Sequence, residues 1–232
     1  MKSRWMKFLI YGFFLAILGV LFLTFVFYST GGPREESVSV NSDSPPNLKL
    51  GNFYPIEGTD YYLAEVFNDR PSSYLDYSSA RWYSFGNGGQ TRNLVFLDGE
   101  SLESRKMYGT NESFILSVIP FPQKSTNQGE SSNQEIVAVK WFAYYVVHQD
   151  VNEDGLLNEK DPSVLAISDY NGLRYKEVIK DILNLYELTM AEDGRLLVVY
   201  RLLDSRYASL IDTQTQEVIL TQPLPELGTE VE

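Results

Sequence analysis

Leu165–Ile179 reads LAISDYNGLRYKEVI, and Ala208–Leu220 reads ASLIDTQTQEVIL. Each is an apolar run ending in aspartate, a polar turn, and a second run containing Val and Ile. Short apolar runs bounded by Asp, Asn and Gly signal buried strands joined by tight turns. The two aspartates, Asp169 and Asp212, lie 43 residues apart. A third stretch, LVFLDGES from Leu94, places Asp98 71 residues before Asp169. The excess over one period is absorbed by two polar insertions, Gln123–Gln134 and Asp150–Asp161.

Strand character extends outward from these runs, at Tyr61–Phe67, Arg81–Phe85, Phe114–Ile119, Ile136–His148, Leu185–Met190 and Leu196–Leu203. These runs are rich in Val, Ile, Tyr, Phe and Trp, which suit a pleated surface. Turn signals such as Asn171–Gly172 and Asp193–Gly194 separate them. The domain from Leu48 to Leu224 is therefore expected to be mainly β. A period near 43 residues is close to the ~40–45 residues of a propeller blade. The chain resembles TolB-like or WD40-like β-propellers across roughly Asn52 to Leu220, which implies about three to four blades. Closed propellers need at least about four blades, so an unclosed arrangement or a β-sandwich is the alternative. Gln123–Gln134 is too polar for the core and reads as a mobile loop, as does the glycine-rich Ser84–Asn93.

Asp150–Asp161, DVNEDGLLNEKD, carries the one recognisable chemical motif. Oxygen donors occupy loop positions 1, 3, 5 and 9 (Asp150, Asn152, Asp154 and Asn158), glycine occupies position 6 (Gly155), and a carboxylate position 12 (Asp161). Ca²⁺ is a hard cation that takes six to eight oxygens from a chain wound around it. The loop resembles an EF-hand loop, more closely the dockerin-like variant that closes with Asp. That resemblance implies side-chain coordination by Asp150, Asn152, Asp154 and Asp161. Leu156 would add its carbonyl, and Asn158 would act directly or through water. Leu157 should point away from the ion and pack into the fold. The flanks are strand-like rather than helical, and Pro162 halts any exit helix. Such loops occur between strands of propeller-like blades in extracytoplasmic proteins, and this arrangement is similar. A solvated acidic turn is the bland alternative.

Phe8–Tyr28 supplies 21 uncharged, overwhelmingly apolar residues, enough at ~1.5 Å per residue to cross a ~30 Å hydrocarbon core. Residues 1–7 hold Lys2, Arg4 and Lys7, so the positive-inside rule puts the amino terminus in the cytoplasm. The expected plan is a single-pass signal anchor at 8–28 and a flexible tether at 29–47. The β-domain at 48–224 then lies outside the cell membrane, periplasmic in a Gram-negative bacterium, followed by a tail at 225–232. Without the three leading basic residues the chain has 16 Lys and Arg against 31 Asp and Glu, a net −15. Such a surface repels nucleic acid. The absence of cysteine excludes disulfides and thiolate metal sites.

Catalysis is not expected. The chain has no G-x-S-x-G elbow, H-E-x-x-H zinc motif or P-loop. Its one histidine, His148, reads as a structural residue at a strand end. The reading is a calcium-binding membrane protein whose external domain serves in binding or assembly, with an envelope protein or glycan as partner. The competing reading is an envelope enzyme acting on glycans through scattered carboxylates. The aromatic-rich stretch with Tyr54, Tyr61, Tyr62, Tyr74, Tyr77, Trp82, Tyr83 and Phe85 could form a recognition face or ordinary core.

Overall fold

The structure, a computed structural model, describes residues 37–39, 47–68, 90–122, 137–191, 193–203 and 205–225. The predicted membrane helix 8–28, the run Arg81–Phe85, the polar loop Gln123–Gln134 and most of the tail lie outside the described residues. Everything below belongs to the compact unit Glu36–Glu232.

Three antiparallel sheets follow one another along the chain. Sheet 1 comprises β2 (Leu48–Leu50) and β3 (Tyr54–Pro55), both pairing with β4 (Tyr61–Asn68), then β5 (Gln90–Asp98) and β6 (Ser104–Lys106). Sheet 2 is β7 (Phe114–Phe121), β8 (Trp141–Val147), β10 (Ser163–Asp169) and β11 (Lys176–Ile182). Sheet 3 is β12 (Asn184–Met190), β13 (Leu196–Leu202), β14 (Ser205–Asp212) and β15 (Glu217–Pro223). Each is a four-strand-wide meander in chain order, as expected of propeller-like blades, and the fold is mainly β. β1 (Ser37–Ser39) falls in the stretch read as a tether and pairs with β9 (Leu156–Asn158).

The sheets stack through alternating faces, because successive strand residues point to opposite sides. On β8, Phe142, Tyr144 and Val146 join Leu63, Leu94 and Phe96 of sheet 1 in one buried cluster. Trp141 and Ala143 point the other way, joining Leu188, Leu196, Val198 and Ile211 of sheet 3 in a second cluster. Sheet 2 is thus covered on both faces, which is why WFAYYVV is apolar at every position rather than at every other one. Aromatic pairs add to the packing, one between sheets 1 and 2 and one within sheet 2. Phe96 meets Phe142 edge-on at 6.2 Å, and Phe121 stacks on Trp141 at 4.4 Å. Such pairs contribute about 0.5–1.5 kcal/mol beyond their area.

Buried polar groups are matched to this stack. Tyr144 is fully buried, and its hydroxyl lies 2.6 Å from Ser168 Oγ on the next strand. Sheet 3 repeats the device with Tyr200 and Ser209 at 3.0 Å, extended to Thr221 Oγ1 at 2.7 Å. Both tyrosines sit on second strands and face the preceding sheet.

The repeated aspartates occupy equivalent places. Asp98, Asp169 and Asp212 each end the third strand of their sheet and enter the turn to the fourth. Asp98 Oδ1 accepts from the backbone N–H of Glu100 and Ser101 at 2.9 and 3.0 Å. Asp212 Oδ1 accepts from Gln214 and Thr215 at 2.8 and 2.9 Å. Asp169 instead holds its turn through the backbone, with Gly172 N–H donating to its carbonyl at 2.8 Å. The repeat therefore encodes a turn that aspartate closes.

Two boundaries differ from the sequence reading. The run expected from Ile136 becomes a strand only at Trp141, because residues 137–140 cross to sheet 1. There Val139 N–H donates to Glu57 O at 2.9 Å, and the Val139 side chain is buried. The last four residues of the supposed loop Ser84–Asn93 instead open β5. They are polar but mostly paired: Thr91 Oγ1 donates to Glu65 at 2.9 Å, and Arg92 donates through Nε and Nη2 to the carbonyls of Asn111 and Glu112, while its Nη1 is buried without a hydrogen bond. Asn93 Nδ2 reaches the Tyr108 carbonyl at 2.9 Å.

Gly172 has φ +72°, and a Cβ there would enter the Phe96 ring of sheet 1. Gly194 has φ +83° with open space around it. Gly172→Ala should therefore lower unfolding free energy by about 2–5 kcal/mol, combining left-handed strain with overpacking, and Gly194→Ala by only about 1–2 kcal/mol. Urea titration of both variants checks the difference.

Between sheets 1 and 2, the Tyr108 hydroxyl donates to the Tyr175 hydroxyl at 2.8 Å. Burial pushes Tyr175 up to about 12 and holds Tyr108 and Tyr144 well above the ordinary tyrosine range. Raised folded-state values mean that the unfolded chain releases these protons first. The stability they contribute is complete below pH about 10 and is lost as pH climbs through about 12. Denaturant midpoints should fall steeply over that window, and less steeply in Tyr175→Phe, with part of the phenolate absorbance rising only as the fold is lost.

Candidate metal loop and an inter-sheet cavity

β8 and β10 pair directly along their length, from Val147 opposite Ser163 to Trp141 opposite Asp169. Residues 148–162 are consequently an excursion from the end of a hairpin, and the loop lies between two strands as its flanks suggested. Leu157 is buried against Phe114 and Val147, with Leu116 packed alongside. It anchors the loop to sheet 2, as expected for the apolar position.

The loop is wound by its own side chains. Asp150 Oδ1 accepts from Asp154 N–H at 3.2 Å, and Oδ2 from Gly155 N–H at 2.8 Å. Asn152 Oδ1 also accepts from Asp154 N–H, at 2.9 Å, and Asp154 Oδ1 from Leu156 N–H at 2.9 Å. Asn158 Oδ1 accepts from Lys160 N–H at 2.8 Å. Each bond turns a donor side chain back over the following backbone, which draws the loop into a coil. Gly155 adopts φ +80°, the left-handed turn that the sixth position requires.

Asp161 closes the loop. It is completely buried, and Oδ1 accepts from the N–H groups of Val151 and Asn152 at 2.9 and 3.4 Å, while Oδ2 accepts from Asn158 N–H at 3.1 Å. Three amides from both arms converge on one carboxylate. The shorter reach of Asp suits this role, since the carboxylate sits within hydrogen-bond distance of its own loop. Asn158 is also buried, whereas Asn152 and Asp154 are exposed. Among the described residues, no three His, Cys, Asp or Glu side chains form a group able to hold a metal ion. The six predicted donors are therefore gathered in one coil, but their carboxylates alone do not make a cluster.

His148, at the root of the loop, has partners that lie far away in sequence. Ser113 Oγ lies 2.8 Å from its Nδ1. Glu177 Oε1 is 3.1 Å from its Nε2, a charge contact without hydrogen-bond alignment. Tyr108 packs edge-on against the ring at 5.8 Å. Ser113 and Glu177 carried no sequence signal, because only the pairing of β7 with β8 and of β10 with β11 brings them near.

A cavity of about 560 Å³ opens where turns of sheets 2 and 3 meet. Its wall includes Lys140, Trp141, Met190 and the pairs Asp169–Arg174 and Asp193–Arg195. Arg174 forks onto Asp169, with Nε to Oδ2 at 2.8 Å and Nη2 to Oδ1 at 2.5 Å, and its Nη1 donates to Gln214 O at 3.1 Å. One arginine thereby ties the third turns of adjacent sheets together. Hydrogen bonding from Arg195 holds Asp193 below the usual carboxylate range, and the Thr215 and Gln214 amides do the same for Asp212. A general acid for glycoside cleavage needs the opposite shift.

Of the predicted aromatic platform, Tyr54 and Tyr61 pack against the cluster between sheets 1 and 2, and Tyr62 is 38% exposed. Tyr74, Tyr77, Trp82, Tyr83 and Phe85 lie outside the described residues.

The Asp161 bonds are made within the protein, so Asp161→Ala should leave three loop amides, among them the buried Asn158 N–H, without their acceptor. It should cost about 2–4 kcal/mol in the presence of a chelator as well as with calcium. Asp154→Ala, at an exposed donor, should be near neutral in chelator and destabilising only with calcium. Paired thermal melts separate the two behaviours.

No protein-family model matches the chain, and no curated protein matches it. Among solved structures, it is similar to the β-propeller domain of the Trilobed protease from Pyrococcus furiosus, described as having an open velcro topology. Identity is 14% and the TM-score 0.40, over 79% of this chain and 46% of that one. The chain thus spans less than half of that structure's length.

Proposed function

We propose that this chain is a calcium-binding, single-pass membrane protein whose external β-domain serves in binding or assembly at the cell envelope. The observation that carries the reading is the coil Asp150–Asp161. Its all-oxygen donor set is oriented by the loop's own amides, with glycine in the left-handed conformation at the sixth position. Asp150, Asn152, Asp154 and Asp161 would hold the ion through side chains, Leu156 through its carbonyl, and Asn158 directly or through water. A carboxylate has about four lone-pair sites, so Asp150, which accepts two N–H groups, and Asp161, which accepts three, each keep room for a cation. The ion would supply charge neutralisation and a rigid link between the two arms of the hairpin, a structural rather than a chemical service.

The membrane part of the proposal rests on the sequence of 8–28. Among the described residues no helix is long and apolar enough to cross a membrane. The net charge of −12 for the whole chain supports attraction of divalent cations and disfavours nucleic acid.

Calcium titration of the full chain in detergent by calorimetry, with thermal melts in calcium and in chelator, tests the proposal. One ion per chain and a raised melting temperature are expected. Free calcium at about 100 times Kd should add about 2.7 kcal/mol. No heat and no shift would reduce the loop to a hydrogen-bonded acidic turn.

A further inference from the structure

Among the described residues, the outer faces of sheets 1 and 3 pack on no other sheet, although Ala64 on the first is fully buried, and the register says which residues they carry. On sheet 1, Leu63, Leu94 and Phe96 face sheet 2. The opposite face presents Tyr62 across from Leu97, Val95 across from Ala64, and Val66 across from Leu50. On sheet 3, Leu196, Val198 and Ile211 face sheet 2. The opposite face presents Leu197 across from Leu210, Val199 across from Ala208, and Leu210 across from Leu220. Tyr62, Leu50 and Leu220 are 38, 56 and 48% exposed. Val66, Val95, Leu97, Leu197, Val199 and Leu210 are half-buried and belong to none of the three core clusters.

These faces are not equivalent to each other; they are complementary by position. The free face of sheet 1 corresponds to the faces that sheets 2 and 3 turn toward their preceding neighbour. The free face of sheet 3 corresponds to those that sheets 1 and 2 turn toward their following neighbour. The sheet 1–2 and 2–3 contacts already join a face of one kind to a face of the other. We propose that a second copy of this chain repeats that contact: the free face of sheet 3 in one copy packs on the free face of sheet 1 in the other, and the reciprocal contact closes a six-sheet ring.

A two-fold axis satisfies both faces of both copies at once and leaves no end for filament growth. Six sheets also fall within the range of about four to eight at which propellers close. A four-strand face about 20 Å wide and about 23 Å long gives two contacts totalling about 1,800 Å², the size of a specific protein interface. Apolar residues at the centre of each face, with Lys106 and Glu187 at flanking positions of the register, suit a face that is buried part of the time.

The chain has no cysteine, so introduced thiols report alone. The full chain in mild detergent would be weighed by sedimentation, then cross-linked with a short bismaleimide as Tyr62→Cys, as Leu220→Cys, and as an equal mixture of the two. A dimer is expected, with covalent dimer formed in the mixture and little in either single variant. A monomer, or like-with-like cross-links as strong as those of the mixture, would overturn the proposal. Leu210→Glu should weaken dimerisation about tenfold or more, by placing a charge in an apolar contact. Its circular dichroism should be unchanged. A folded Leu210→Glu chain with undiminished dimerisation would equally overturn the proposal.

Discussion

Sheet 2 is buried on both sides, and most of the molecule follows from that constraint. Because Phe142, Tyr144 and Val146 serve one interface and Trp141 and Ala143 the other, the central strand has no solvent face on which to place polar residues. Charged side chains are driven to the strand ends. The aspartates that close the third turns, the arginine bridge at Arg174 and the acidic hairpin excursion all lie where the strands stop. Inside the stack, buried tyrosine hydroxyls pair with serines on the next strand, Tyr144 with Ser168 and Tyr200 with Ser209.

The metal loop depends on the same stack. Its conformation rests on two buried residues, Leu157 against sheet 2 and Asp161 against the loop's own amides. Between these anchors, Asn152 and Asp154 stay exposed. This division gives the motif two layers: an inner one that folding completes and an outer one that would answer to a cation. It also accounts for aspartate at the closing position, since a carboxylate acting as the hub for three nearby amides has no need of a longer side chain.

The Asp98, Asp169 and Asp212 pattern identified the unit of the fold before any contact was known, because each aspartate performs a local task at the same turn. Local tasks leave local signals. Where polar residues serve distant partners, the signal fails. Arg92 and Asn93 read as loop residues but are buried in β5, since their acceptors come from Tyr108 to Glu112. Val137–Lys140 reads as strand, yet crosses to the Glu57–Gly58 turn, where Ala138 packs so closely on Gly58 that a Cβ on the glycine would collide with it.

By itself the sequence determined the mainly β character, the repeating unit, the position of the oxygen-rich loop between two strands and the inward direction of Leu157, since all of these follow from side-chain periodicity and turn chemistry over a few residues. Tertiary structure alone decided which faces meet, that His148 lies beside Ser113 and Glu177, and that a cavity opens between the turns of sheets 2 and 3. Those outcomes depend on strand pairing and sheet stacking across 30 to 70 residues of chain, over which neighbouring side chains leave no mark on one another's sequence.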